Sequence, residues 1–269
     1  MAGINSIGNS SWLFNTPGTT TNKQQDSLAK LWSNYTASQQ NATGALAGLQ
    51  EVNANLKSLM ASYEDAKSAF RIELGENMDA LGASAEKVAG YNFNVKADDA
   101  ITTSRTTDEK GNVTTTTTYS KELQSALDTV KEFVSDYNTS IKFFKDNASV
   151  SKRVENMAGV FGDATYRASN YAQIGLNVTS DGSFTVDEAK LANAIVNDPN
   201  KVSRALGNDG LAGKAQEHIS FANAQADKLF PTAQAMLGDQ LDAAALYTGK
   251  AYRNMANYTN MGNLLNMMF

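Results

Sequence analysis

The stretch Ile174 to Leu206, IGLNVTSDGSFTVDEAKLANAIVNDPNKVSRAL, constrains the fold more than any other part of this chain. Leu176 and Val178 alternate as one short strand, and Phe184 and Val186 as a second. Ser180, Asp181 and Gly182 form the connection between them, where Gly accepts a positive φ and Asp bonds its own backbone. Asp187 stands at an N-cap position, ahead of a helix that carries Leu191, Ala194 and Ile195. Asn197-Asp198-Pro199 ends that helix, because the residue before a proline is pushed out of the α region. A second short helix follows, with Val202 and Leu206 on its apolar side.

Helical periodicity dominates the rest. From Lys121 to Asn147 the apolar residues Leu123, Leu127, Val130, Val134, Tyr137, Ile141 and Phe144 alternate spacings of 4 and 3, and Asp and Lys fill much of the other face, which predicts a bundle helix. From Asp26 onward, Tyr35, Ala42, Leu49, Leu56, Tyr63 and Phe70 recur every seven residues, with Leu46 and Met60 on the alternate positions. Gln39 and Asn53 interrupt that second series, so the seam is a weak one that needs a partner helix. Gly75, Gly82 and Gly90 predict a loosening into shorter helical pieces. At the other end, Gly210 to Phe269 reads as largely helical, nicked at Phe230-Pro231. Its later part carries only Asp239, Asp242, Lys250 and Arg253 as charges from Phe230 onward. Depleted charge with many Met and Tyr residues is the composition of a subunit interface.

Between the helical regions the character changes. Phe93, Val95 and Ala97 alternate as a half-buried strand. Ile101 to Thr107 and Val113 to Tyr119 then read as two Thr-rich strands around Asp108-Glu109-Lys110-Gly111-Asn112. Threonine is stiff at χ1 and favours extended backbone, while its hydroxyl tolerates water. Symmetric pairing sets Ile101 opposite Tyr119, and the hairpin, polar on both faces, reads as a projecting arm. The resulting fold class is mainly α with small β elements (α+β), with long N- and C-terminal helices forming a coiled coil or helical bundle, plus β-hairpins. The organisation expected is a flexible arm over 1–25, a helical region over 26–90, a strand and Thr-rich hairpin over 91–120, a core over 121–211 and a C-terminal helical region over 212–269. Trp12, Leu13 and Phe14 make an apolar plug in the arm. A local staple onto the long helix and a contact to a neighbouring subunit account for that plug equally; in the second reading these residues, with Met255, Tyr258, Leu265 and Phe269, are the candidate oligomer interface.

Composition removes whole classes of chemistry. With no Cys among 269 residues, a disulfide, a thiolate nucleophile and a Cys-based metal site are all excluded. His218 is the single histidine, so a two-His metal site cannot form within one subunit; beside Glu217 it reads as a plain surface residue. The formal net charge of −5 with mixed signs gives no basic footprint for nucleic acid. The opening MAGINSIGNSSWLFNTPGTTTN lacks the basic and apolar regions of a cleaved signal peptide, and no segment is long and apolar enough for membrane insertion. Asn177, Thr179, Asp181, Gly182, Ser183 and Glu188 fall at EF-hand spacing, but Asn and Thr stand where carboxylates belong, and the flank reads as strand. Asp98-Asp99 and Asp187-Glu188 fall in turns or caps. Gly207-Asn208-Asp209-Gly210 lacks the Lys and Ser/Thr of a phosphate-binding loop. No cofactor is expected and no enzyme is visible.

Three elements in fixed order resemble the bacterial flagellar filament capping family, hook-associated protein 2. Phe133, Val134, Tyr137 and Asn138 match a helical FV-x-x-YN motif. Gly162, Asp163 and Arg167 match GD-x-x-x-R. In the opening stretch Ile174, Gly175, Leu176, Asp181, Gly182, Phe184, Asp187, Lys190, Leu191, Ala194, Ile195, Pro199 and Val202 match the family's IG-to-DG-to-KL-to-P pattern. The match runs from Leu123 to Leu211, and this is a short form: the Thr-rich hairpin stands where the family carries large variable domains. The resemblance implies a structural protein of the flagellum, a homo-oligomer assembled as a ring at the filament tip that assists flagellin incorporation without bond chemistry. It implies type III export to the cell exterior without a cleaved signal peptide. The partners implied are other copies of itself, flagellin, hook-associated proteins and an export chaperone. Two alternatives stay open: a subunit of the filament or hook–filament junction in a helical assembly, and a calcium-responsive surface adhesion module.

Overall fold

The computed structural model describes residues 47–96, 100–107 and 112–238. These are mainly helical, with two small two-stranded antiparallel sheets, as the sequence predicts. The chain divides into two compact units. The first comprises 1–73 and 230–269 and the second Leu74–Leu229. Helix α1, Ala47–Ala89, begins in the first and ends in the second.

Within the first unit, Leu59, Tyr63, Ala66 and Phe70 are buried on α1. Phe230 packs on two of them, with ring centroids 5.7 Å from Tyr63 and 5.6 Å from Phe70. Tyr63 donates its hydroxyl to the Pro231 carbonyl at 2.8 Å. The expected nick at Phe230-Pro231 is thus a real interruption, and helical backbone resumes at 233. Heptad positions up to Leu46, the side chains of Leu49 and Leu56, and positions after Leu237, together with Trp12, Leu13, Phe14, Met255, Tyr258, Leu265 and Phe269, lie outside the described residues.

The second unit is built on α2, Lys121–Asp146. Its N-cap Ser120 accepts from the Leu123 amide at 3.2 Å, and every member of the predicted apolar series on this helix is buried. Helix α3, Lys152–Phe161, runs into a 3-10 turn at Gly162–Arg167 and short α4, Ala168–Ala172. Strands β3, Leu176–Val178, and β4, Phe184–Val186, pair antiparallel with Leu176 opposite Val186. Helices α5, Glu188–Asn197, α6, Pro199–Leu206, and α7, Leu211–Leu229, complete the unit. Asp187 caps α5 by accepting from Lys190 N at 3.0 Å, and Asp198 caps α6 by accepting from Lys201 N at 3.1 Å. The hairpin of β1, Ile101–Thr107, and β2, Val113–Tyr119, has the predicted register, Ile101 opposite Tyr119.

Two local expectations fail. α1 continues unbroken through Gly75 and Gly82 to Ala89, because its apolar stripe (Leu74, Met78, Leu81, Ala85, Val88) is buried throughout. That burial outweighs the roughly 1 kcal/mol each helical glycine costs. The Phe93–Val95 alternation exists in burial but not as a strand. Val95 N–H bonds to the Phe93 carbonyl at 2.8 Å and Asn94 N–H to Asn92 Oδ1 at 3.1 Å. Those local turns occupy backbone groups that a ladder would need; Phe93 is anchored by its ring, 5.0 Å from Tyr91. Ala97 lies outside the described residues.

Candidate functional site

The three motif elements meet at one place, and helix α2 supplies its centre. Tyr137 and Asn138 are adjacent in sequence, about 100° apart around the helix axis, and so address different partners. Tyr137 is fully buried and donates its hydroxyl to the Phe161 carbonyl at 2.9 Å. Its ring lies 5.4 Å from Phe184, 6.2 Å from Phe133 and 6.5 Å from Phe161. Burial pushes its phenol far above the usual range, with Asp163 and Tyr171 adding in the same direction, so the hydroxyl stays a donor. Asn138 donates from Nδ2 to the Phe184 carbonyl at 2.8 Å and accepts at Oδ1 from Phe184 N at 2.7 Å. One side-chain amide thereby does for Phe184 what a neighbouring strand would do, and fixes a three-residue strand to the helix.

The Gly-Asp and Asp-Gly elements touch backbone to backbone. Gly182 has φ +86°, and a Cβ there would stand 2.3 Å from the Cα of Gly162. Gly175 has φ +88°, and its Cβ would fall 2.6 Å from the Leu191 amide nitrogen. Its carbonyl accepts from Asp187 N at 2.8 Å, which ties the start of β3 to the cap of α5. These two positions need glycine for both conformation and space. Phe133, Val134, Ile174 and Leu191 are buried around them. Pro199 opens α6 at its first turn, where a missing N–H costs nothing.

Charged motif residues lie at the margin. Asp181 accepts from Lys145 at 2.5 Å, from the Thr179 hydroxyl and from Ser183 N at 3.0 Å. These bonds, that from Lys145 foremost, hold its carboxyl well below the usual carboxylate range. Glu188 pairs with Lys131. The two carboxylates that an EF-hand would commit to calcium are therefore each engaged by an ammonium, and no group of three metal-ligating side chains gathers among the described residues. Arg167 and Lys190 point to solvent.

His218 is not the surface residue expected. It lies on the buried side of α7 at 7% exposure. Its ring is 5.2 Å from Phe161, and Nε2 is 3.3 Å from Asp163 Oδ2, while Nδ1 is buried with no hydrogen-bond partner. Burial lowers its pKa, against a smaller opposing pull from Asp163, so the neutral tautomer with its proton on Nε2 fits the site. Leu211, Ala215, His218, Ala222 and Leu229 share the buried face. The signal was in that spacing, but alanines mark a core stripe poorly and adjacent Glu217 suggested the opposite face.

Taken together, the described residues make a helical scaffold element whose buried motif side chains are occupied in tying strand, turns and helices together. Comparison with known proteins finds a similar stretch. Over 134 aligned residues, 41% of this chain and 28% of the relative, it is 31% identical to the B-type flagellar hook-associated protein 2 of Pseudomonas aeruginosa. Over that stretch the chain is similar, at a distance, to a hook-associated protein 2, the family that the three motifs resemble. It spans little more than a quarter of that relative's length. No family model and no solved structure matches it.

Proposed function

We propose that this chain is a minimal flagellar cap-type assembly protein, which oligomerises at the filament tip and assists flagellin incorporation. The observation that carries this is the convergence of the three motifs on one node, together with the curated relative's flagellar name. A node whose buried motif residues are committed to internal ties leaves function to surfaces, and surfaces that place exported subunits need no bond chemistry. The poorly charged stretch from Phe230 onward, with Met255, Tyr258, Leu265 and Phe269, supports self-association there, and Trp12, Leu13 and Phe14 supply a second contact. In this reading flagellin, hook-associated proteins and an export chaperone are the partners, and the protein works outside the cell on the flagellum. A ring of identical copies uses head-to-tail interfaces that close.

Electron microscopy of the purified full chain, alone and mixed with flagellin filaments, tests it. Discrete closed rings that sit on filament ends are expected. A helical polymer that lengthens with concentration would transfer the chain to the filament or junction class. A monomer at high concentration that ignores flagellin would overturn the proposal.

A further inference from the structure

The Thr-rich hairpin is an open invitation to strand pairing, and its β2 edge is self-complementary. β1 and β2 pair over seven residues without a bulge, and no described element contributes a third strand. Natural edge strands are blunted by charge, proline or a bulge. β2, Val113–Tyr119, reads VTTTTTY and has none of these, whereas β1 carries Arg105. Six of the seven β2 residues are exposed, Val113 to 46%. All seven are β-branched or aromatic, the types that favour extended backbone.

The ladder itself shows which backbone groups face away from β1. Ser120 N–H bonds to the Ala100 carbonyl at 2.9 Å, so in the continuing register Thr118, Thr116 and Thr114 also turn their N–H and C=O groups inward, toward β1. Val113, Thr115, Thr117 and Tyr119 then turn theirs outward. Antiparallel pairing of β2 with β2 of a second copy, centred on Thr116, matches 115 with 117 and 113 with 119. That satisfies all four outward residues with up to about eight backbone hydrogen bonds. It lays threonine beside threonine, a favourable cross-strand pair, and the apolar Val113 beside Tyr119 at both ends. β2 itself carries no charged side chain, and Arg105 stays on the outer strands of the resulting four-stranded sheet.

We propose that the β2 edge is a docking strand for β2 of a second copy, related by a two-fold axis through Thr116. This contact is separate from the terminal stretches invoked for the cap, so either can fail without the other. Because the chain is free of cysteine, one substitution reads it directly. Thr116 would face itself as a non-hydrogen-bonded pair with Cα atoms about 4.5 Å apart, within disulfide reach. The full-length Thr116→Cys variant, under mild oxidant at low micromolar concentration, is expected to become mostly disulfide-linked dimer. Thr103→Cys, on the outer strand, should stay mostly uncrosslinked. Thr115→Pro added to Thr116→Cys removes an outward N–H without touching the inner ladder and should cut crosslinking at least tenfold, with an unchanged helical circular dichroism spectrum. Hydrogen exchange supplies a readout independent of cysteine: the amides of 113, 115, 117 and 119 should gain protection as concentration rises. Equal crosslinking at 103 and 116 would overturn the proposal. So would protection that is the same at all concentrations, since that assigns the edge to a segment of the same chain, or protection that never develops.

Discussion

Asn138 gives the sharpest test of the node, because its two hydrogen bonds run in opposite directions to one residue. Replacing Asn138 by Ala removes both bonds to Phe184, at 2.7 and 2.8 Å. At about 1 kcal/mol net for each neutral bond, the loss is about 2 kcal/mol. For a chain of this size that lowers the melting temperature by about 4–8 °C. Asn138→Asp separates the two bonds. The carboxylate still accepts from Phe184 N–H, but it faces the Phe184 carbonyl with an oxygen where the amide donor stood. Only the protonated acid can donate to that carbonyl. Its folded-state pKa is therefore raised above the unfolded value near 4. A raised pKa contributes stability that is fully present below the unfolded value and lost as pH rises through the folded one. Relative to wild type, Asn138→Asp should therefore lose about 2 kcal/mol at pH 7 and recover at least half of it near pH 4, since one unit of pKa corresponds to about 1.4 kcal/mol. The Asn138→Ala deficit should stay flat across the same range. Urea unfolding followed by circular dichroism at several pH values measures both differences. Parallel deficits for the Asp and Ala variants would refute the two-way bond to β4.

Further outcomes follow from the same geometry. Gly182→Ala must place a Cβ 2.3 Å from Gly162 Cα at positive φ, so it should cost about 2–4 kcal/mol, more than Asn138→Ala, in the same unfolding assay. The lowered pKa of His218 means that the unfolded chain binds its proton more readily. Stability should therefore fall as pH drops from above 6.5 toward the folded value, and His218→Phe, which keeps a ring against Phe161, should flatten that segment of the pH profile. Asp181→Asn breaks an ion pair whose side chains are 38% and 42% exposed; solvent screening limits its cost to under about 1 kcal/mol. Calorimetry with calcium should show no micromolar binding, because Lys145 and Lys131 already occupy Asp181 and Glu188; a micromolar site abolished by Glu188→Gln would favour the adhesion reading.

The amino-acid sequence alone determined much of what depends on near neighbours. The apolar spacing of α2, the cap at Asp187, the turn at Gly182 and the Ile101–Tyr119 register all follow from interactions within a few residues or across one tight connection. The motif residues were equally legible as a set. What the sequence could not contain was their meeting: Asn138 bonds a backbone 46 residues away, and the need for glycine at 182 comes from the backbone of Gly162 as much as from the turn. Two misreadings share that origin: Gly75 and Gly82 stay helical because long-range burial outweighs local propensity, and His218 is buried because Phe161 and Asp163 come to it from other elements. The third is local, since short turns at Asn94 and Val95 take the backbone groups that a strand at Phe93 would need. Local chemistry writes the elements, and only the folded chain decides which of their faces are enclosed.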